Sequence, residues 1–571
     1  MLFRKLGNNI AFNAMKARGK SSLKELDDAT KQAAKLSENL LLKLVNDNKD
    51  TEYGKLHHFA EVKSIEDYKR LVPVSNYDDY AEIIQRGMDT CDTTLYTAYP
   101  IVSYAVTSGS VGVPKYIPQS ELAIDAYRKF AATRVFGSMA EYFEKTGKKF
   151  SAGYGLNTFE IGRTPTRDGK VFGGISGTAV HQFRQFLPYI FTSPLDLIYP
   201  QGDMNGKHLK LLFALAEKDL SFMISCFMTY LADEMCYLQD NWEILCDDIE
   251  KGRISPDIKV PAETREKLNA KLKADPVRAN ELRVEFKKGF DTPIVPRIWP
   301  KLKWISSVGS SGFMPYTNLM RTYLGPDVTV DFLAYASSEA IIGAARTPED
   351  DSYVIIPQSG FFEFVPEDAT DYSVTYNIGE LEIGKKYEIL VTNLSGLYRY
   401  RINDVVEVVD YYNESPKIRF AYRKSQLINI AGEKLTEKDL QNAVDRFKKE
   451  TGLNIIDYCI YADTDATPGR CVMLIEPKSS IDMSKLGEYE NLMEEKLREV
   501  NFLYNMERDA KNLSSLKLLI QQPQSHALYR EMRLLKGVSE NQIKPVRILD
   551  TPMKMNFFLK MIEANIQNKH N

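Results

Sequence analysis

The spacing of hydrophobic positions changes along the chain and separates stretches of different predicted structure. Residues 20–90 are predicted to be helical, because apolar side chains recur there at helical spacing, at Leu36, Leu40, Leu41, Leu44 and Val45. Residues 209–290 are predicted to return to helix. Within them, the charged and proline-punctuated residues 247–288 are typical of a solvated helical insertion.

Between and after these helical stretches, short runs rich in β-branched and aromatic residues predict strands. The run IVSYAV from Ile101 is followed by a loop of glycines and serines and by a second short strand at Tyr116–Ile117. Further strands are predicted at residues 328–335, 353–356, 361–365, 387–393, 405–409 and 417–422, and one more that ends at Ile430.

The last 150 residues combine strands and helices in a smaller α+β pattern. A helix is predicted to begin at Thr436, whose hydroxyl can cap it while Asp439 supplies a carboxylate in the first turn. Strands follow at residues 454–462 and 470–476, and a helix follows with an apolar stripe from Leu486 to Val500. We place a domain boundary near residue 423, which gives domains of residues 1–422 and 423–571.

Composition narrows the class of protein. The chain has 571 residues, with 74 Lys and Arg against 77 Asp and Glu, a formal net charge of −3. That balance argues against a protein held to nucleic acid mainly by neutralising phosphates. Hydrophobic residues make up 44% and charged residues 26%, which is typical of a globular protein with an ample core.

Targeting and cysteine patterns predict a cytoplasmic protein with no membrane partner. The six cysteines lie far apart without a C-x-x-C pair, as expected in a reducing compartment. The first 22 residues lack the apolar run and small-residue cleavage site of a signal peptide, and we interpret them as a short amphipathic helix packed on the protein. The apolar stretch from Leu209 to Met235 contains too many charges to span a bilayer.

The most informative motif is the segment TSGSVGVPK, residues 107–115, between two predicted short strands. Gly109 and Gly112 let the backbone approach an anion closely, and Lys115 supplies a positive charge. The hydroxyls of Thr107, Ser108 and Ser110 add hydrogen-bond donors. This is the chemistry of a phosphate cradle, although the Walker spacing is absent and a surface loop of small residues has the same composition.

The segment TSGSVGVPK resembles the phosphate-binding signature of the adenylate-forming superfamily, with Val111 where a threonine is usual. Two further segments follow in the superfamily's order. YASSE, residues 335–339, resembles its aromatic-x-x-[ST]-Glu motif, and YRYRIND, residues 398–404, resembles its Tyr-Arg-x-Gly-Asp motif. In the second motif Asn403 replaces the usual glycine, and asparagine also tolerates a left-handed turn. Taken singly, YASSE could be a capped strand end, and Arg401 with Asp404 a surface ion pair.

The wider context resembles the Gretchen Hagen family of auxin-responsive acyl-acid amido synthetases, from about residue 70 to residue 550. The segments that carry this resemblance are WPKLK at 299–303, GFMPY at 312–316, LYRYR at 397–401, RKSQLINIAGEK at 423–434 and NQIKPVR at 541–547. The resemblance implies an α/β fold, with a large N-terminal adenylate-forming domain of mixed sheets and helices and a small, mobile α+β C-terminal domain.

The resemblance also implies a two-step reaction on Mg·ATP. A small carboxylic acid attacks the α-phosphate to form an acyl-adenylate and pyrophosphate, and an amine, typically that of an amino acid, then displaces AMP to form an amide. Phosphoryl chemistry of this kind needs mainly positioning and charge neutralisation, in agreement with the residues of the motifs.

Site residues are carried over from the family's motifs to the matching positions. Lys115 and the residues of the 107–112 loop are expected to bind the phosphates, Tyr335 to stack on adenine, Ser338 to bind phosphate and Glu339 to hold Mg²⁺. Asp404 is expected to accept hydrogen bonds from the ribose, and Arg401 to bridge ribose or phosphate or to orient Asp404. In the C-terminal part, Lys544 is expected to contact the reacting α-phosphate, and Arg423 and Lys424 to form the hinge. Gly312 is expected to line the adenine or acyl pocket, with a turn glycine as the equal alternative.

Two alternatives remain open at this stage. An acyl-CoA ligase shares the adenylation step and differs in using a thiol acceptor. A degenerate member, marked by Val111 and Asn403, would bind nucleotide or a partner without turnover, although charged residues at four motif positions argue against it. The sequence does not identify the acid or the amine.

Overall fold

The chain folds into two compact units. The computed structural model describes residues 2–108, 114–162, 164–167, 169–310, 313–369, 371–424, 427–431, 433–535 and 543–562. The larger unit comprises Met1–Thr107, Pro114–Ile402 and Glu407–Arg419. The smaller unit comprises Ser108–Val113, Asn403–Val406 and Phe420–Asn571. No helix in the described part of the chain is both long enough and apolar enough to cross a membrane.

The N-terminal part of the larger unit is helical, as predicted. Its helices are α1 (Leu2–Thr30), α2 (Ala33–Asn48), α3 (Glu52–Leu56), α4 (Ile65–Leu71) and α5 (Asp78–Thr90). Helix α1 is much longer than the short helix predicted for the first 22 residues, and it packs on the protein through Ala11, Phe12 and Met15.

The segment after α5 forms the first strands of the larger unit and the helices that follow them. Its elements are β1 (Ile101–Ser108), β2 (Pro114–Ser120), α6 (Glu121–Tyr127), a π-helical turn (Arg128–Thr133) and α7 (Arg134–Lys145). Helices α1 and α7 cross closely at Gly19 and Gly137, where a Cβ on either residue would lie within 2.5 Å of the other helix's backbone. The glycines therefore permit this crossing.

A parallel sheet of order β3-β6-β7-β8 forms one core of the larger unit. The elements from residue 154 to residue 331 are β3 (Tyr154–Asn157), β4 (Thr164–Pro165), β5 (Val171–Phe172), α8 (Ile175–His181), α9 (Leu187–Ile190), α10 (Leu195–Ile198), α11 (Gly206–Ala216), β6 (Leu220–Phe227), α12 (Met228–Lys251), α13 (Ala262–Asn269), α14 (Pro276–Phe286), α15 (Val295–Ile298), β7 (Trp304–Val308), α16 (Met314–Leu324) and β8 (Thr329–Asp331). The prediction of helix throughout residues 209–290 was wrong at β6. A short apolar strand inside a parallel sheet has the same hydrophobic pattern as a buried helix.

A second, larger sheet has the order β12-β13-β14-β15-β11-β10-β9 within the described residues. Its strands are β9 (Ala334–Ala336), β10 (Ile341–Ala344), β11 (Tyr353–Ile355), β12 (Phe361–Pro366), β13 (Lys386–Thr392), β14 (Tyr400–Tyr412) and β15 (Ser415–Arg423). The single strand predicted at residues 328–335 is divided between two sheets, as β8 and β9. The break lies at Leu333, whose φ is +59° and whose carbonyl accepts a hydrogen bond from the buried guanidinium of Arg134 at 2.6 Å.

The smaller unit is an α+β fold around the sheet β16-β17-β18. Its elements are α17 (Glu437–Thr451), β16 (Ile455–Asp463), β17 (Arg470–Pro477), α18 (Leu486–Val500), α19 (Phe502–Asp509), β18 (Lys517–Ile520), α20 (Ser525–Leu535) and α21 (Pro552–Lys560). Thr436 and Asp439 form the predicted cap of α17 as a reciprocal capping box. The strand predicted to end at Ile430 is absent from the described residues of that segment, where Ile428 makes only an isolated bridge to Leu435.

Candidate active site

Several predicted site residues lie at positions that the structure does not describe. Gly109, Ser110 and Gly112 of the phosphate loop, together with Val111, lie outside the described residues, and so does Gly312. Thr107 and Ser108 form the end of β1. The roles expected for these residues therefore stay predictions.

Lys115, in β2 just after the phosphate loop, is half-buried, and its ammonium lies over the ring of Tyr77, 5.2 Å from the ring centre. The Tyr77 hydroxyl accepts a hydrogen bond from the backbone N–H of Tyr116 at 2.8 Å, which fixes the ring beside the strand. No carboxylate among the described residues pairs with Lys115. The aromatic face therefore orients the cation and leaves its charge available to an anion.

The YASSE motif ends strand β9 and turns sharply. The N–H of Ser337 donates to the carbonyl of Ala340 at 2.9 Å. The Ser337 hydroxyl accepts from the N–H groups of Glu339 at 3.2 Å and of Ala340 at 3.3 Å. Sequence-local hydrogen bonds of this kind favour a turn over a continuing strand. The turn leaves Ser338 and Glu339 half-buried.

The Glu339 carboxylate lies close to two tyrosines. Burial raises the pKa of Tyr127 and of Tyr400 well above the ordinary value for tyrosine, and the negative charge of Glu339 raises both pKa values further. Within the described residues, no group donates a hydrogen bond to this carboxylate and no cation pairs with it. A half-exposed carboxylate with unused oxygens suits a hard cation such as Mg²⁺, which prefers oxygen ligands.

The two arginines of the YRYRIND motif have different surroundings. Arg399 is buried, and its guanidinium makes two 3.0 Å hydrogen bonds to the Glu363 carboxylate. Arg401 is more exposed; its Nε donates to Glu388 at 3.2 Å and its guanidinium lies 4.7 Å from the centre of the Tyr372 ring. Arg399 therefore stabilises the folded structure through its ion pair, and Arg401 is the more solvent-exposed of the two arginines. Sequence reasoning missed Glu363 and Glu388, which lie in β12 and β13 outside any motif.

Asp404 and the predicted hinge residue Arg423 are brought together in the smaller unit. Asp404 is 3% exposed, and its Oδ1 accepts a hydrogen bond from Arg423 Nε at 2.5 Å. The alternative of a surface ion pair is therefore wrong for this carboxylate. The neighbouring Lys424 is half-buried.

Glu437, in the first turn of α17, belongs to none of the sequence motifs, and the charges of Lys544, Arg423 and Asp404 act on its carboxyl group. Burial raises the pKa of Glu437, and the positive charges of Arg547, Lys544 and Arg423 oppose that rise. Lys544 is exposed, and its charge acts on the Glu437 carboxylate within the smaller unit. An acidic residue directly after a capping threonine was the signal available in the sequence.

Lys115, Glu339 and Asp404 are the charged residues of the three segments that resemble the motifs of adenylate-forming enzymes. Models of the N-terminal, central and C-terminal domains of the GH3 family match residues 22–329, 353–423 and 438–553. The chain belongs to the GH3 family.

Relatives extend along nearly the whole chain. An indole-3-acetic acid-amido synthetase of Oryza sativa subsp. indica is 27% identical, over 98% of this chain and 95% of its own length. A jasmonoyl-L-amino acid synthetase of Oryza sativa subsp. japonica is 26% identical, over 93% of this chain and 94% of its own length. Among solved structures, a GH3.15 acyl acid amido synthetase superposes with a TM-score of 0.83 at 25% identity, covering 95% of this chain and 97% of that one.

The family, the fold class and the enzyme class predicted from the sequence are confirmed. The fold is that of a large N-terminal domain of mixed sheets and helices followed by a smaller C-terminal domain. The chain is an ATP-dependent acid–amine ligase, an amido synthetase that acts by adenylation followed by amide transfer.

Proposed function

We propose that this amido synthetase activates a small carboxylic acid with Mg·ATP and transfers the acyl group to the amino group of an amino acid. The names of two relatives each specify an acyl acid and an amino or amido product or acceptor. These relatives are an indole-3-acetic acid-amido synthetase and a jasmonoyl-L-amino acid synthetase. The observation that carries the proposal is the half-buried Glu339 carboxylate, held on a hydrogen-bonded turn with no donor or cation on it among the described residues.

The first step forms a bond between a carboxylate oxygen of the acid and the α-phosphorus, and breaks the bond from that phosphorus to the oxygen that leaves with pyrophosphate. In the second step the amine nitrogen attacks the acyl carbon, AMP leaves with the bridging oxygen, and the nitrogen loses a proton. Neither step needs a protein nucleophile. The residues contribute by positioning the reactants and by neutralising charge.

Each site residue then has a defined task. Lys115 and the 107–112 loop bind the outer phosphates, Ser338 binds phosphate and Tyr335 stacks on adenine. Asp404 accepts hydrogen bonds from the ribose hydroxyls, Arg401 supports the ribose or phosphate, and Lys544 neutralises the α-phosphate during adenylation. Arg423 and Lys424 form the hinge between domains of residues 1–422 and 423–571, and Gly312 borders the acyl pocket. From the cysteine pattern, we place the enzyme in the cytoplasm.

Magnesium fits the surroundings of Glu339. The carboxylate offers the oxygen ligands that Mg²⁺ prefers. Tyr127 and Tyr400 have raised pKa values and are neutral, so neither adds a second charge beside the carboxylate. When bound, Mg²⁺ would neutralise charge on the phosphates of ATP. Glu339 would hold it, and the turn at Ser337 would fix that carboxylate.

The first experiment is ATP–pyrophosphate exchange with a panel of aromatic, indolic and aliphatic carboxylic acids. Acid-dependent exchange is expected, and Lys115→Ala and Glu339→Gln are expected to reduce it by about 100-fold, the usual effect of removing one charge-stabilising group. Lys43→Ala is the matched control: Lys43 also lies over a tyrosine ring, that of Tyr99, but it has its own carboxylate partner, Asp47.

The acceptor is tested with the acid that supports exchange. Amide formation with an amino acid, without thioester formation from CoA, is the expected result. A thioester product would instead assign the chain to the acyl-CoA ligases. Absence of both exchange and ATP binding would leave the nucleotide roles without support and favour the non-catalytic alternative.

A further inference from the structure

Three side chains from separate parts of the larger unit donate hydrogen bonds to three successive carbonyls of Ser337–Glu339. The Tyr127 hydroxyl donates to the first carbonyl. Gln119 Nε2 donates to the second at 2.7 Å, and Asn393 Nδ2 donates to the third at 2.9 Å. We call Gln119, Tyr127 and Asn393 the clamp residues.

The burial of the clamp residues contrasts with that of the turn they hold. Gln119, Tyr127 and Asn393 are 1%, 5% and 2% exposed, whereas Ser337–Glu339 are only half-buried. Water could satisfy the carbonyls of a half-exposed turn at little cost. The protein instead uses three buried side-chain donors, which restrict the turn to one conformation. A carboxylate such as that of Glu339 can be placed precisely only if the backbone that carries it is fixed.

The clamp residues also connect the turn to the other two nucleotide motifs. Gln119 lies on β2, the strand that contains Lys115. Asn393 follows β13, and its Oδ1 accepts from the N–H groups of Ser395 at 2.8 Å and of Leu397 at 2.9 Å. The chain from Leu397 leads directly into the YRYRIND motif. Each end of this network therefore reaches a segment to which the proposed function assigns nucleotide contacts.

We propose that the clamp residues are positioning residues for adenylation, which act by fixing the turn that carries Glu339. This inference rests on the proposed function, because it assigns them an effect on the task proposed for Glu339. The clamp residues themselves need not touch ATP or the acid.

The test uses the full-length protein and removes single donor atoms. Tyr127→Phe removes one hydroxyl, and Gln119→Glu replaces the donor with an oxygen that repels the carbonyl. Both variants are expected to lower kcat of acid-dependent exchange by about tenfold and to raise the Mg²⁺ concentration needed, with the KM for the acid unchanged. Tyr411→Phe is the matched control, because the Tyr411 hydroxyl also donates to a backbone carbonyl, that of Leu381, at 2.7 Å.

Combining Tyr127→Phe with Glu339→Gln distinguishes a positioning role of Tyr127 from a general loss of protein stability. If Tyr127 acts through Glu339, Tyr127→Phe lowers exchange much less in the Glu339→Gln protein than in the native one. Equal losses in both proteins, or native activity of folded Tyr127→Phe and Gln119→Glu, would overturn the inference.

A second measurement does not depend on activity. Amide hydrogen exchange of the segment containing Glu339 and Ala340 is expected to be faster in Tyr127→Phe and unchanged in Tyr411→Phe. Unchanged exchange of this segment in Tyr127→Phe would also overturn the inference. A native protein that shows no acid-dependent pyrophosphate exchange would contradict the proposed function, and the hydrogen-exchange result would still decide whether the clamp residues hold the turn.

Discussion

At residue 403 the backbone of β14 has a φ of +62°, within the left-handed region that glycine adopts without strain. The superfamily motif usually has glycine at this position, and Asn403 is one of the few other residue types that enter this region readily. The substitution therefore preserves the local bend that precedes Asp404. It gives no structural reason to regard the chain as degenerate.

This bend leads to a prediction for Asn403. Asn403→Gly is expected to keep the KM for ATP in pyrophosphate exchange. Asn403→Val is expected to raise that KM and to lower the free energy of unfolding by about 1 kcal/mol, because a β-branched side chain resists positive φ. Urea unfolding and exchange kinetics measure the two effects.

The same change at Asn413 is the control, because that residue has a φ of +55° in the turn between β14 and β15. Asn413→Val should cost stability without changing the KM for ATP. A larger change in this KM for Asn403→Gly than for Asn403→Val would contradict the role given to the bend.

At the scale of elements, hydrophobic spacing and short runs rich in β-branched and aromatic residues predicted most of the helices and strands. The N-terminal helices, the strands of the large antiparallel sheet and the capped helix α17 follow their patterns. The pattern failed at β6, which lies between β3 and β7 inside the parallel sheet, and at Leu333, where the chain passes from one sheet to another. In both places tertiary packing, rather than local alternation, decides the conformation.

The packing of α20 against β16 makes the stability of the smaller unit depend on pH. Burial lowers the pKa of His526 to about 4, aided by the charge of Arg547 and opposed by Asp457, whose Oδ2 lies 3.4 Å from His526 Nδ1. The unfolded chain has the ordinary histidine pKa of 6.5. The unfolded state therefore binds the extra proton first, so this contribution to stability is present above pH 6.5 and is lost as the pH falls towards 4.

We expect the stability difference between the native protein and His526→Gln to be about 2 kcal/mol larger at pH 7 than at pH 5. Amide hydrogen exchange of β16 and β17 reports the opening free energy of this region in the full-length protein. Burial raises the pKa of the nearby Glu476 to about 7, so its contribution falls as pH rises. Both proteins contain Glu476, and the comparison isolates the histidine. A difference that is constant or that grows towards pH 5 would contradict the assignment.

At the scale of the whole molecule, the chain folds into two compact units, and Lys544 lies in the smaller one. The proposed role of Lys544, in the smaller unit, is confined to adenylation, when negative charge develops at the α-phosphate. A two-domain enzyme can rearrange between its steps and admit the second substrate after the first product leaves. The second step therefore should not need Lys544.

We expect Lys544→Ala to reduce acid-dependent pyrophosphate exchange by about 100-fold, while amide formation from a supplied acyl-adenylate stays near the native rate. Lys554→Ala is the control, because Lys554 lies in the same unit and pairs with Asp550 at 2.6 Å. Equal losses in both half-reactions would show that Lys544 has a structural role or acts in both steps.

The sequence by itself determined the family, the reaction class and the positions of the three segments to which we assign nucleotide contacts. Each segment is short and continuous, and its glycines and charged side chains are the residue types that the proposed contacts to phosphate, metal and ribose require. Only the tertiary structure showed that Arg399 forms an ion pair with Glu363 and that Asp404 forms one with Arg423. It also showed that the clamp residues donate hydrogen bonds to one turn. The partners in these contacts lie between 19 and more than 200 positions apart in the sequence. Local residue spacing therefore does not predict them, because only folding brings the partners together.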